Sequence, residues 1–217
     1  MFITFEGLDG CGKSTIIKML KEYLEKKYPE KNFVFTREPG GESVKESEKI
    51  REIILDSKND ISAMAETLLF AASRRIHLEK VVWPSLKNNK IVICDRYIDS
   101  SIAYQGAAGG VGSDKVEQIN EIATDKTEPN YTFLLKLTPE ESRKRLIAQI
   151  NHNDDRIEKK STDYFQKIYD QYEKMAKKYH KRFISIDASL TPDKVFKKVQ
   201  EKIDEILSKK IEKKAIY

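Results

Sequence analysis

Short apolar runs alternate along this chain with longer segments in which apolar residues recur every three or four positions. The runs show little polar alternation, which is typical of parallel strands covered on both faces. The periodic segments are typical of amphipathic helices. The pattern predicts strands at Phe2–Phe5, Phe33–Phe35, Ile91–Cys94, Thr132–Leu137 and Phe183–Ile186, and helices at Lys13–Tyr28, Ser43–Leu55, Ile61–Leu86, Asp114–Thr124, Pro139–Gln149, Ser161–Lys178 and Thr191–Leu207.

The alternation of strands and helices predicts an α/β fold with a doubly wound sheet and helices on both faces. In such sheets, ligands bind outside the carboxyl ends of the strands. We therefore expect four segments to converge on a site, because each follows a predicted strand: Glu6–Ser14, Thr36–Gly41, Asp95–Gln105 and the region after Leu137.

A glycine-rich segment follows the first predicted strand. Gly7–Ser14 reads GLDGCGKS and fits the pattern G-x-x-x-x-G-K-[ST] between a strand and a helix. Such a loop turns its backbone N–H groups around a polyphosphate at the positive end of the following helix. Lys13 is then predicted to reach the β- and γ-phosphates, and Ser14 to bind Mg²⁺. The alternative is an ordinary glycine-rich turn.

Two further groups suggest a second ligand. Asp95 follows a buried strand, where P-loop enzymes hold Mg²⁺ directly or through water, although a strand-end turn cap is the alternative. Arg96 comes next, and its planar guanidinium suits a phosphate. Phe70 and Arg74 lie four residues apart on one helix face, where a ring and a cation can bind a nucleobase. Taken singly, each is more often a core ring or a surface cation.

Composition narrows the class of protein. With 217 residues, the chain is long enough for one domain with a sizeable core, predicted over residues 1–208 with a basic tail at 209–217. The net charge of +5 arises from widely spread lysines, which favours small phosphorylated ligands over nucleic acid or a membrane surface. No apolar run approaches the roughly 20 residues of a membrane span, and we expect no signal peptide. The chain has two cysteines, Cys11 and Cys94, with neither CxxC nor metal-ligand spacing. So few cysteines suit a reducing cytoplasm, which is the compartment we expect.

Taken together, these segments resemble the thymidylate kinase family. A P-loop alone indicates only an NTPase, whereas the ordered combination is specific and extends to about Ile186. The resemblance implies a P-loop nucleoside monophosphate kinase fold with a five-stranded parallel sheet, Mg²⁺-dependent transfer of the γ-phosphoryl group of ATP to dTMP, and a homodimer. The matching segments are Phe5–Thr15, Arg37–Gly41, Leu69–Arg75, Asp95–Tyr97, Ala103–Gly106 and Asp155–Ile157.

The resemblance also implies residue roles. Phe70 is expected to stack on thymine and Arg74 to donate to its carbonyl, while Tyr97 and Tyr104 crowd the sugar. The catalytic residues are expected to be Lys13, Asp9, Arg96 and Arg156, and the metal ligands Ser14 and Asp95. ATP is expected to contact Gly7, Leu8, Asp9, Gly10, Cys11, Gly12, Lys13, Ser14 and Thr15. dTMP is expected to contact Asp9, Glu38, Arg51, Phe70, Arg74, Arg96, Tyr97, Ser101, Tyr104 and Gln105.

One element departs from the family's pattern. The variable P-loop positions carry no cation, so we expect a lid at about residues 148–160 to supply transition-state charge. Our hypothesis is that Arg156 closes over the ATP phosphates, assisted by Arg143 or Arg145; the alternative is an ion pair of Arg156 with a neighbouring carboxylate. For the chain as a whole, the alternatives are a kinase for another deoxynucleotide or nucleoside, and a P-loop ATPase stimulated by nucleic acid.

Overall fold

The computed structural model describes residues 1–41, 43–149 and 161–215. Its centre is a five-stranded parallel sheet, as the resemblance implied, and the order of the strands across it, numbered along the chain, is 2-3-1-4-5. The predicted strands are confirmed, with ends that differ by one or two residues. The strands are β1 (Phe2–Glu6), β2 (Phe33–Arg37), β3 (Ile91–Asp95), β4 (Tyr131–Lys136) and β5 (Phe183–Asp187).

The helices flank this sheet on both faces. Their bounds are α1 (Lys13–Lys27), α2 (Lys45–Leu55), α3 (Ala63–His77), α4 (Trp83–Lys87), α5 (Ile98–Ser101), α6 (Ser113–Thr124), α7 (Pro139–Gln149), α8 (Thr162–Lys178) and α9 (Pro192–Ala215). Two π-helical segments, Leu78–Val82 and Ile102–Ala108, continue α3 into α4 and extend α5.

Three helical predictions need correction. The helix expected to end at Leu207 is α9 and continues to Ala215. The helix expected at Ile61–Leu86 begins two residues later and contains a π-helical turn before α4. The helical run through α5 and Ile102–Ala108 was not predicted. Its residues carry no clear apolar period, but Ile102, Ala103 and Tyr104 are buried against α8, and this tertiary packing stabilises the helical conformation.

The core lies on both faces of the sheet. On one face Phe5 stacks on Phe133, with ring centroids 5.0 Å apart, in the cluster that includes residues of α1 and α9. On the other face Val92 and Cys94 pack with Leu78 from the π-helical turn after α3. Burial on both sides explains why the three central strands, β1, β3 and β4, are mostly apolar. None of the helices within the described ranges is long and apolar enough to span a bilayer.

The register of the sheet brings three strand ends together. Phe5 and Arg37 both align with Asp95. The N–H of Arg96 donates to the carbonyl of Phe5 at 3.0 Å, and the N–H of Glu38 donates to the carbonyl of Asp95 at 2.9 Å. The first residues beyond β2 and β3 therefore lie beside the loop that follows β1.

Candidate active site

The loop between β1 and α1 forms a cradle for an anion. Its last glycine, Gly12, precedes α1, which has neither a side-chain cap nor an acidic residue in its first turn. Gly7 has φ +141°, and a Cβ there would lie 2.5 Å from the carbonyl oxygen of Leu135. Lys13 Nζ donates to the carbonyls of Gly7 and Leu8, each at 3.1 Å. The helix terminus thus presents uncapped N–H groups beside a cation, as a phosphate requires.

Ser14 and Asp95 lie together beside this cradle. Ser14 Oγ donates to Asp95 Oδ2 at 3.5 Å, while Asp95 Oδ1 is buried and has no hydrogen-bond partner within the described residues. An uncompensated buried carboxylate oxygen fits a cation. The described part of the chain holds no cluster of three or more His, Cys, Asp or Glu residues suited to a metal. Mg²⁺ often takes only one or two protein ligands beside phosphates and waters, so this pair fits it.

In addition to the phosphate cradle, the protein has a second cavity, of about 140 Å³, which lies between α2, α3 and the helical run after β3. All of the residues that the resemblance implied for dTMP line it, and Pro39, Leu55 and Ser100 complete the wall. The lining consists of Asp9, Glu38, Pro39, Arg51, Leu55, Phe70, Arg74, Arg96, Tyr97, Ser100, Ser101, Tyr104 and Gln105.

Arg96 occupies the end of this cavity nearest the P-loop. Its Nη1 donates to Gly7 O and Ser100 Oγ, both at 3.1 Å, and its Nη2 donates to the Asp9 carboxylate. Tyr104 OH donates to the other Asp9 oxygen at 3.0 Å. Burial opposes ionisation of Asp9, but the charges of Arg96 and Lys13 outweigh it and hold the Asp9 pKa below its usual value. The positively charged guanidinium of Arg96 therefore lies where the P-loop meets the second cavity.

Arg74 occupies the opposite end. Its Nε donates to Glu38 Oε2 at 2.7 Å, its Nη1 to Asn120 Oδ1 at 2.6 Å and its Nη2 to Ser101 Oγ at 2.9 Å. His77 Nδ1 lies 3.0 Å from the second oxygen of Glu38. Sequence reasoning assigned no role to His77 or Asn120. His77 follows Arg74 by three residues, and this spacing on one helix face was the available signal.

The hydroxyl groups of two predicted contacts are engaged with protein neighbours. Ser101 was expected to contact dTMP, and here it accepts a hydrogen bond from Arg74. Tyr97 was expected to crowd the sugar, but its hydroxyl donates to the carbonyl of Thr127 at 2.9 Å and its ring packs edge-on against Phe2. Both residues line the cavity, but their hydroxyl groups form hydrogen bonds with other protein atoms.

Glu6 is a buried carboxyl behind Arg96 that sequence reasoning left without a role. Its Oε1 accepts from the N–H of Tyr97 at 2.8 Å, and its Oε2 accepts from Ser100 Oγ at 2.5 Å and Tyr172 OH at 2.8 Å. Burial, followed by the nearby Asp99, raises the pKa of Glu6 to about 7. A charged residue that ends an otherwise apolar strand was the sequence signal.

A third cavity, of about 400 Å³, opens on the opposite side of the P-loop. Its walls come from the loop itself, the start of α1, and the segment Ala188–Pro192 after β5. Arg145 of α7 lies at its edge and donates to the carbonyl of Ser189 at 3.4 Å. Ala188–Pro192 was missed, although the rule that ligands bind beyond strand ends applies equally to β5. The predicted lid arginine, Arg156, lies outside the described residues.

Comparison with known proteins identifies close relatives of this chain. A family model described as Thymidylate kinase matches residues 5–212. A thymidylate kinase of Mycoplasma mobile is 50% identical over 212 residues, which cover 96% of this chain and 100% of that one. One from Mycoplasmopsis agalactiae is 44% identical over 204 residues, 94% of each chain. The crystal structure of thymidylate kinase from Ehrlichia chaffeensis superposes with a TM-score of 0.76 at 33% identity, covering 94% of this chain and 98% of that one.

Proposed function

This chain belongs to the thymidylate kinase family, and we propose that the cavities on either side of its P-loop hold the two nucleotides of that family's reaction. The enzyme transfers the γ-phosphoryl group of ATP to dTMP, giving dTDP and ADP. The single observation that carries the residue assignment is the pair formed by Arg96 and Asp9, which links the P-loop to the cavity lined by Phe70 and Arg74.

On the donor side, the P-loop segment Gly7–Ser14 binds the ATP phosphates and the third cavity receives the adenosine. The uncapped start of α1 and Lys13 support the first assignment. Ser14 and Asp95 hold Mg²⁺, a proposal supported by the unpartnered Asp95 Oδ1. Bound there, Mg²⁺ would neutralise charge on the β- and γ-phosphates. The segment Ala188–Pro192 supplies a wall for the nucleoside.

On the acceptor side, Arg96 and Arg51 bind the dTMP phosphate, Phe70 stacks on thymine and Arg74 donates to a thymine carbonyl. Phosphoryl transfer depends on in-line positioning and charge neutralisation more than on covalent chemistry. Because the attacking oxygen belongs to an anionic phosphate, no general base is needed. Arg96 is placed to hold that oxygen near the P-loop, since its guanidinium contacts both Gly7 and Asp9.

We also propose that residues 1–208 form a single domain that assembles as a homodimer in the cytoplasm. The five strands from Phe2 to Asp187 join one sheet, which supports the first part. Helix α3 contacts both α2 and α6, and exposed large apolar side chains on these three helices support the dimer: Ile53, Met64, Leu68 and Ile122. The free thiols of Cys11 and Cys94 suit a reducing compartment. Sedimentation equilibrium tests the dimer, and a monomer at micromolar concentration would exclude it.

A coupled ADP-release assay tests the assignment of the site. With dTMP as acceptor, Arg96→Ala should reduce kcat/KM by more than about tenfold, equivalent to about 1.4 kcal/mol of transition-state stabilisation. Arg75→Ala is the matched control, because Arg75 pairs with Glu79 and Asp125 outside the cavity. Addition of EDTA should abolish turnover, and turnover that persists in EDTA would contradict the proposed Mg²⁺ site. Unchanged kcat/KM in the Arg96 variant would place the acceptor phosphate elsewhere.

The same assay separates the alternatives. Turnover with dUMP, dCMP and deoxythymidine, measured beside dTMP, defines the acceptor. The family match favours dTMP over these, and it removes the support for an ATPase stimulated by nucleic acid. Stimulation of ATP hydrolysis by DNA or RNA in the absence of dTMP would restore that alternative.

A further inference from the structure

Glu66 stands outside the cavity wall but contacts a residue that forms it. It lies on α3 four residues before Phe70 and eight before Arg74, so the three side chains share one face of the helix. Glu66 Oε1 accepts a hydrogen bond from Gln105 Nε2 at 3.1 Å. Gln105 is buried in the π-helical segment Ile102–Ala108 and lines the cavity opposite α3. Glu66 is therefore joined to the cavity wall by its hydrogen bond with Gln105.

The chemistry of this contact decides the orientation of the Gln105 amide. A side-chain amide has one donating and one accepting end, and rotation by 180° exchanges them. An ionised carboxylate can only accept, so the NH₂ group of Gln105 must face Glu66. No hydrogen bond of the described residues engages Gln105 Oε1. The carbonyl oxygen is consequently the end of the amide that remains for a ligand in the cavity.

The two polar groups that the cavity offers to a base are then of opposite kinds. Arg74 offers N–H donors, and Gln105 offers an acceptor. Thymine presents a carbonyl oxygen beside a ring N–H, which complements this pair. Cytosine presents an amino group beside an unprotonated ring nitrogen, so donor would face donor and acceptor would face acceptor. Mismatched buried polar groups of this kind are unfavourable, because each donor or acceptor loses its water partner and gains none.

We propose that Glu66 is a positioning residue for acceptor specificity: it locks the Gln105 amide so that the site selects a pyrimidine with a protonated ring nitrogen over one without. This inference rests on the proposed dTMP site. It assigns to Glu66 neither contact with the substrate nor a part in phosphoryl transfer. Discrimination against dCMP thus depends on a carboxylate that does not line the cavity.

The test compares kcat/KM for dTMP and dCMP in the wild type and in Glu66→Gln. The glutamine keeps the shape but can donate as well as accept, which frees Gln105 to rotate. We expect the preference for dTMP over dCMP to fall about tenfold, with the KM for ATP unchanged. Glu79→Gln is the matched control, since Glu79 is an exposed partner of Arg75 and lies away from the cavity. Glu66→Ala, which removes the carboxylate, should give the same loss of preference.

A double-mutant cycle shows whether the effect passes through Gln105. Gln105→Ala should lose the preference, and adding Glu66→Gln to it should change the ratio no further. An unchanged dTMP to dCMP ratio in both Glu66 variants, or additive effects with Gln105→Ala, would overturn the inference while leaving dTMP kinase activity intact. A wild-type enzyme that fails to phosphorylate dTMP would instead overturn the proposed function.

Discussion

Replacement of Glu38 by glutamine probes the buried charge cluster at the base end of the cavity. Glu38 is 5% exposed and Arg74 is 2% exposed. The carboxylate accepts from Arg74 Nε at 2.7 Å and faces His77 Nδ1 at 3.0 Å. Glutamine has nearly the same volume but no charge. The variant therefore leaves the Arg74 guanidinium buried without its anionic partner.

The size of the effect follows from that burial. Removal of one partner from a buried ion pair costs about 3–5 kcal/mol, because the other charge stays desolvated. The glutamine oxygen can still accept one hydrogen bond, and Asn120 and Ser101 still accept from Arg74. We therefore expect the lower end, a loss of about 3 kcal/mol in the free energy of unfolding at pH 7. The matched control Glu79→Gln breaks an exposed pair and should cost less than about 0.5 kcal/mol.

The pH dependence gives a second readout. Burial opposes ionisation of Glu38, but the Arg74 charge outweighs it, so the Glu38 pKa is lowered from 4.5. A lowered pKa contributes stability that is present above the pKa of the unfolded chain and is lost as the pH falls through the folded value. The difference between wild type and Glu38→Gln should thus narrow below about pH 4.5. Urea unfolding followed by circular dichroism measures both; a loss below 1 kcal/mol at pH 7, or a difference that does not narrow, would refute the reasoning.

Three other perturbations test separate parts of the site. The pKa of Glu6 is raised from 4.5 to about 7, so its contribution to stability is present below pH 4.5 and declines as the pH rises to about 7. Glu6→Gln should flatten this decline in the free energy of unfolding. An unchanged dependence of that free energy on pH would contradict the prediction. Gly7→Ala places a Cβ 2.5 Å from the carbonyl oxygen of Leu135 and should abolish calorimetric ATP binding, whereas Gly12→Ala, with no atom within 4 Å, should retain the fold at a cost of about 1–2 kcal/mol. Arg156→Ala should lower kcat by more than about tenfold, and an unchanged kcat would assign the transition-state charge to another cation.

The strands, most helices and the P-loop could be predicted because their signals are local. Strands buried on both faces require contiguous apolar residues, and the phosphate loop requires glycines and a lysine at fixed spacing. The same holds for Phe70 and Arg74, whose shared face follows from helical geometry. The resemblance then joined these segments into one acceptor site, and the fold brings the predicted residues to one cavity. The assignment of their individual roles stays a prediction.

The partners of the buried polar groups could not be predicted in this way. Glu38 meets His77 across 39 positions of sequence, and Arg74 meets Asn120 across 46. Periodicity shows which face of a helix a side chain occupies, but not which element packs against that face. A hydrogen bond forms only when donor and acceptor lie within about 3 Å in a suitable orientation. That condition depends on how separate elements pack together, so these contacts, including that of Glu66, came from the tertiary structure alone.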